Sequence, residues 1–274
     1  MKQFRIGSRV VSKDNLPLVI AEIGINHNGS LDSAVAIADA AIKSGAKIIK
    51  HQTHIADDEM ANNAKRIIPG NAKKSIYEII KKSSLSEKSE FKLMNYIKSK
   101  KRIFFSTPFS RKAVDRLEKF NVPLYKIGSG ECNNYPFVEY VCKKRKPIIL
   151  STGMNSIQTI IPAVNIIRKY KIPFALLHCT NIYPTPHKLV RLNAMLELKK
   201  KFKDAIIGLS DHTETIYTCL GAISLGASIV EKHFINDKKI SGPDISSSMD
   251  GSELKELIKG SKIIFESMNG KKKP

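Results

Sequence analysis

Residues 205–234 read AIIGLSDHTETIYTCLGAISLGASIVEKHF. An apolar run, Ala205–Leu209, stops at Ser210, Asp211 and His212. A stretch with apolar residues at helical spacing follows and closes on Leu225-Gly226. A second apolar run, from Ser228 to Val230, stops at Glu231, Lys232 and His233. Near-continuous apolar runs of this length suit strands covered on both faces, as in a parallel sheet. The segment therefore reads as one strand–helix–strand unit, and both of its strands end in polar side chains.

The same beat runs through the chain. The other strand-like runs are PLVIAEIG (17–24), AKIIKHQT (46–53), RIFFSTP (102–108), LYKIGSG (124–130), PIILSTG (147–153) and FALLHCT (174–180). Helical patterns separate them. SLDSAVAIADAAIKSG has Ser30 or Asp32 as its N-cap and Gly45 as its stop. GSELKELIKGSKIIFES follows the last run and supplies a final helix. Eight such units in 274 residues predict an α/β protein of the closed (β/α)8 TIM-barrel type, a fold that takes about 250 residues. An open doubly wound sheet is the alternative, weakened by the lack of a GxGxxG after the first run. QFRIGSRVVS (3–12) reads as a β-hairpin closing the bottom of the barrel. The expected organisation is an N-terminal hairpin over 1–16, a barrel over 17–268 and a linker over 269–274. Residues 54–85 form a long insertion after the second strand, read as a lid.

The chain is 42% hydrophobic and 26% charged, an ordinary globular balance. It has no uninterrupted apolar stretch of roughly 18 residues and no apolar leader segment, so no membrane partner is expected. Its four scattered cysteines form no CxxC pair and fit reduced thiols in a cytoplasmic protein. The formal net charge of +21 favours anionic partners: nucleic acid, acidic surfaces or phosphorylated small molecules. Without an RNP, KH or zinc-finger pattern, and with 7% aromatics, nucleic acid is not expected. Runs such as Lys199–Lys201 read as solvated helix faces.

In a barrel, all the strand ends meet at one C-terminal rim, where chemistry sits. Alternation places Lys50 and Gln52 on one face and His51 on the other, and sets His233 on the face of Glu231. Lys50 and Lys126, with hydroxyls such as Thr107, Ser151 and Ser210 nearby, suit phosphate or carboxylate; a lone rim lysine would more often be a surface group. His212 and His233 end adjacent strands and suit a borderline divalent ion, although each alone reads as a hydrogen-bonded rim residue. Glu22 ends a very apolar strand and suits a general acid or base; pairing with a rim lysine is the equal alternative. Asp211 points away from this face and reads as a helix cap or a support for its neighbours.

AEIGINHNGS (21–30), KIIKHQTHIADDEM (47–60), STPFSR (106–111), YKIGSGECNNYP (125–136), ILSTGMNS (149–156), LLHCTNIYPTP (176–186), IGLSDHT (207–213) and SGPDI (241–245) resemble, in order, the bacterial sialic acid synthases that use phosphoenolpyruvate. The resemblance implies condensation of phosphoenolpyruvate with the open-chain aldehyde of N-acetylmannosamine. The enol carbon attacks the aldehyde carbon, water adds at the former enol-ether carbon, and phosphate leaves with C–O cleavage, giving N-acetylneuraminate. KHQTH and HCTNIYPTP look closer to synthases using N-acetylmannosamine than to the legionaminic or pseudaminic branches. The family's phosphoenolpyruvate residues match Lys50, Thr107, Lys126, Ser129, Ser151, Asn181 and Ser210. Its sugar-contacting residues match Gln52, Glu131, Tyr183 and Asp244, its acid/base carboxylate matches Glu22, and the histidines that hold a divalent metal, Mn2+, match His212 and His233. The resemblance also implies a C-terminal antifreeze-like domain, which members of the family usually carry and which completes the partner's site in a homodimer. The chain ends at Pro274, before such a domain, so weakened sugar binding and a reduced dimer interface are expected.

Overall fold

The computed structural model describes residues 3–68, 73–240 and 242–270. The parts of the expected hairpin, insertion, SGPDI segment and linker that fall on residues 1–2, 69–72, 241 and 271–274 lie outside them.

Strands β1 (Gln3–Ile6) and β2 (Arg9–Ser12) pair antiparallel around Gly7. Then come the barrel strands β3 (Leu18–Gly24), β4 (Ile48–Thr53), β5 (Ile103–Pro108), β6 (Tyr125–Ile127), β7 (Ile148–Ser151), β8 (Phe174–Cys179), β9 (Ile206–Asp211) and β10 (Ile229–His233). Their ladders are parallel, in the order β5-β4-β3-β10-β9-β8-β7-β6. β5 and β6 lie side by side and bring the ends of the sheet together, so the described residues form a (β/α)8 barrel. Helices follow the strands: α1 (Leu31–Lys43), α4 (Glu87–Ser99), α5 (Arg111–Lys119), α6 (Tyr135–Cys142), α7 (Ile157–Lys169), α8 (Asn193–Lys201), α9 (Tyr217–Ser224) and α10 (Gly251–Met268). The insertion adds the single turn α2 (Ala56–Glu59) and the helix α3 (Ile76–Ser83). Ser30, not Asp32, caps α1, accepting from the Ser33 amide.

The period-two pattern sorts the strand side chains into two cores. Inside the barrel, Ile20, Ile48, Phe105, Leu124, Ile149, Leu177, Ile206 and Ile229 form an apolar floor, and Phe4, Ile6 and Val11 of the hairpin seal it from below. The outward residues, such as Ile23, Phe104, Ile127, Leu176 and Leu209, pack under the helices. One step beyond the floor, or two on β9 past Gly208, each strand presents a polar or thiol group inward: Glu22, Lys50, Thr107, Lys126, Ser151, Cys179, Ser210 and Glu231. The floor excludes water below this layer.

Asp211 faces the helix layer, as alternation requires, but it caps nothing. Its Oδ2 accepts from Lys232 Nζ at 2.6 Å and from Thr213 Oγ1 at 2.8 Å, and its Oδ1 from Thr218 Oγ1 at 2.8 Å. Register explains the pair: Lys232 lies directly beside Asp211 on the next strand. Both side chains are buried. Asp211→Ala strands an ammonium in the interior, so urea unfolding should show a loss of about 3–5 kcal/mol; a loss below about 1 kcal/mol would mean that water replaces the carboxylate.

His51 and His178 also face outward. His178 bonds the carbonyl of Val190 at 2.6 Å. His51 sits between His27 at 3.1 Å and Glu90 Oε1 at 3.1 Å, and Arg116 closes the chain on Glu90 Oε2 at 3.2 Å. This network pins the β3–α1 loop to α4 and α5. Burial, then the His51 ring, pushes His27 down to about 3. Lys199–Lys201 are exposed on the last turn of α8. The four cysteines are free and buried. No described helix is long and apolar enough to cross a membrane.

Candidate active site

The inward polar layer encloses a cavity of about 130 Å³ at the C-terminal end of the barrel. Of the residues matched through the family resemblance, all but Glu131 and Asp244 line it: Glu22, Lys50, Gln52, Thr107, Lys126, Ser129, Ser151, Asn181, Tyr183, Ser210, His212 and His233. Glu131 opens instead onto a neighbouring cleft of about 280 Å³ with Asp58, Glu59, Arg111 and Asn134. Phe109 lines both spaces. Asp244 stands behind His233, with Oδ2 at 3.6 Å from Nδ1.

Two lysines and two carboxylates dominate the cavity. Lys50 pairs with Glu22, donates to Thr107 Oγ1 at 2.9 Å and reaches Glu231 Oε1 at 3.5 Å. Lys126 donates to Ser151 Oγ at 2.7 Å and lies 3.6 Å from the same Glu231 oxygen, which also receives Ser210 Oγ at 3.4 Å. The pairing that was the alternative reading of Glu22 is therefore present. Burial alone would drive both ammonium groups toward neutrality. Glu22 and Glu231 more than offset it for Lys50, which lies above its ordinary value. Lys126 stays below its own: burial leads, Glu231 opposes it, and the Lys50 charge adds to it. For Glu231, burial raises the carboxyl, and the charges of Lys126 and Lys50 outweigh it, holding it below the usual range. Among the described residues, Glu22 Oε1 and Glu231 Oε2 have no hydrogen-bond partner although buried. Such groups are costly in a fold that gains nothing from them.

The loops carry the remaining donors. Ser129 Oγ accepts from the Gly153 amide at 3.0 Å, and Asn155 Nδ2 bonds the Ser129 carbonyl at 3.0 Å. Only glycine fits at 153: a Cβ would lie 2.0 Å from Asn181 Oδ1 and 2.9 Å from Ser129 Oγ. That close approach brings Ser129 and Asn181 to one edge of the cavity. On the other side Gly24, at φ +50°, leaves room for Glu22 and His233, whose atoms would lie 3.3 Å from a Cβ.

The two histidines end adjacent strands, with ring centroids 5.5 Å apart. His212 Nδ1 lies 2.8 Å from the Thr180 carbonyl, so that nitrogen carries the hydrogen. Its Nε2 therefore holds a lone pair aimed inward, which accepts from the Tyr183 hydroxyl at 2.9 Å. His233 Nδ1 is buried without a hydrogen-bond partner among the described residues. Burial is the leading cause that lowers both rings, His212 to about 4 and His233 well below its ordinary value, so both are neutral at pH 7. Neutral imidazoles, one with its tautomer fixed by a backbone carbonyl, suit metal ligation. The described residues contain no cluster of three or more His, Cys, Asp or Glu able to hold an ion by themselves; a metal here would take its other positions from water or substrate. Asp244 is pushed up to about 7, by burial first and then by the charge of Glu22.

Glu231 carries no role in the family resemblance; the sequence signals it only by its place two residues before His233 on the same strand face.

A barrel sealed below by a hairpin, with buried lysines, carboxylates and paired histidines at its C-terminal rim, has the architecture of a (β/α)8 enzyme that handles an anionic substrate. The chain belongs to the NeuB family, whose profile matches residues 37–273. It is 40% identical over 248 residues to the N,N'-diacetyllegionaminic acid synthase of Campylobacter jejuni, covering 88% of this chain and 74% of that protein. It is 33% identical to the human N-acetylneuraminate-9-phosphate synthase, with 90% of this chain and 69% of that one covered. The crystal structure of N-acetylneuraminic acid synthetase from Leptospira borgpetersenii, in complex with citrate, superposes with a TM-score of 0.91 at 30% identity, over 99% of this chain and 92% of that one.

Proposed function

We propose that the chain condenses phosphoenolpyruvate with the open-chain aldehyde of N-acetylmannosamine, forming N-acetylneuraminate and releasing phosphate by C–O cleavage. The observation that carries this reading is the convergence of two buried lysines on one Glu231 oxygen, beside a pair of neutral histidines. Membership of the NeuB family, with relatives named as legionaminic and neuraminic acid synthases, supports the reaction class.

Lys50 and Lys126, with Thr107, Ser129, Ser151, Asn181 and Ser210, bind the carboxylate and phosphate of the enol phosphate. The lysines are already paired with Glu22 and Glu231, so the incoming anion competes with those carboxylates for the same ammonium groups. Gln52, Tyr183 and Asp244, with Glu131 at the neighbouring cleft, orient the sugar. His212 and His233 would hold a divalent metal, Mn2+, which supplies polarisation of the aldehyde oxygen. Glu22 has one oxygen on Lys50 and the other free, and moves protons as water adds and the tetrahedral intermediate collapses.

Incubation with phosphoenolpyruvate, Mn2+ and N-acetylmannosamine tests this directly. Phosphate should appear only when sugar and metal are both present, in step with a sialic acid. Phosphate release without sugar, or none with any acylamino sugar, would overturn the reading. A second reading, synthesis of a legionaminic acid, is favoured by the identity to the Campylobacter jejuni enzyme. It predicts turnover with a 2,4-diacetamido sugar in place of N-acetylmannosamine.

A further inference from the structure

We infer that His54, held by Glu59 and stacked on Phe109, is the positioning residue that fixes the Gln52 amide toward the acceptor sugar; the inference rests on the synthase reading above. Gln52 is the last inward residue of β4, two positions beyond Lys50, and lines the cavity. A glutamine at the end of a strand has three rotatable bonds and, left alone, presents no defined donor or acceptor.

Here its amide oxygen lies 3.0 Å from His54 Nε2, and the opposite ring nitrogen, Nδ1, lies 2.8 Å from Glu59 Oε1. A carboxylate and an amide oxygen both only accept, so the two bonds need a hydrogen on each ring nitrogen, as in an imidazolium paired with Glu59, and the ring orientation is set. The other Glu59 oxygen takes the Ile55 amide at 3.1 Å, so the carboxylate is itself fixed. The His54 ring stacks on Phe109 with centroids 4.2 Å apart and planes 12° apart. His54 and Glu59 side chains are both 5% exposed, so these bonds are largely shielded from water.

The turn that supplies Glu59 is anchored on its far side as well. Asp58 accepts from the Lys112 amide at 3.3 Å and pairs with Lys112 Nζ at 3.1 Å, tying α2 to the start of α5. The chain Asp58–Glu59–His54–Gln52 thus runs from the helix layer to the cavity. Phe109, the stacking partner, is the wall between the cavity and the cleft that holds Glu131. The first turn of the insertion therefore acts as a brace for the sugar end of the site.

Steady-state kinetics with each substrate varied separately test this. His54→Leu removes both hydrogen bonds while filling much of the ring's space. The acceptor KM should rise about tenfold, the effect of one lost hydrogen bond, with the phosphoenolpyruvate KM and kcat within about twofold of wild type. Glu59→Gln should move the acceptor KM in the same direction by less. In a Gln52→Leu background, His54→Leu should add nothing, because the residue acts through Gln52. Additive effects, an unchanged acceptor KM, or a phosphoenolpyruvate KM that rises in parallel would overturn the inference. If His54→Leu fails to fold by circular dichroism, the nearly isosteric Glu59→Gln carries the same split. A wild-type chain that turns over no acylamino sugar removes the synthase reading and this inference with it. Wild-type turnover alongside a flat response in both variants removes the inference alone.

Discussion

Glu22→Gln is expected to lower kcat by about 10²–10⁴-fold while leaving phosphoenolpyruvate binding intact. The substitution keeps the shape and one acceptor oxygen but takes away the group that exchanges a proton. Glu22 occupies an inward position at its strand end between Lys50 and His233: it pairs with the first and lies beside the second in register. Lys50 keeps Thr107 and Glu231 when Glu22 loses its charge. The anion then meets one fewer competitor for the ammonium, so calorimetric affinity for phosphoenolpyruvate should stay equal or tighten. The sign of that change separates a catalytic role from a structural one, because a collapsed site would lose affinity and turnover together. Wild-type turnover in the variant would remove Glu22 from the proton chemistry.

Alternation along single strands made much of this site legible. A period of two puts Lys50 and Gln52 inward and His51 outward, and the cavity and the Glu90 network bear this out. Adjacency of β9 and β10 follows from the strand–helix–strand unit, and with it the approach of His212 and His233. What escaped depended on distances across the barrel or on loops. Glu231 bridges Lys50 of β4 and Lys126 of β6, neither of which neighbours β10 in the sheet, and no local pattern encodes that contact. Asp211 was sorted to the correct face, but its partner Lys232 required the register between two strands. Glu131 lies on the short turn after β6 and Asp244 beyond β10, where strand periodicity no longer applies; there the chain turns Glu131 into a second cleft and Asp244 behind a histidine. The brace on Gln52 combines neighbours in sequence, His54 and Glu59, with Phe109 from the next strand end, which only the fold brings against the ring.

His233→Ala should abolish activation by Mn2+ and weaken Mn2+ binding by about 100-fold or more, since outer partners of a metal ligand alone account for about 10–100-fold. His233 is the better choice of the two histidines for this test. His212 also accepts from Tyr183 and donates to the Thr180 carbonyl, so its loss disturbs the wall of the cavity. His233 Nδ1 has no hydrogen-bond partner among the described residues, and the Asp244 carboxylate is 3.6 Å away. An imidazole kept neutral by burial, which packs on the Tyr183 and His212 rings but holds no Nδ1 hydrogen bond to the described residues, loses little structure on truncation, so the effect should fall on the metal. Titration of Mn2+ followed by the electron paramagnetic resonance of the free aquo ion reads the binding directly, without turnover. Phosphoenolpyruvate affinity measured without metal should be unchanged, because Lys50 and Lys126 are held by Glu22, Glu231, Thr107 and Ser151 rather than by His233. Retained Mn2+ dependence in His233→Ala would refute the histidine pair as the metal site. An equal fall in metal-free phosphoenolpyruvate affinity would instead assign His233 to the architecture of the anion pocket.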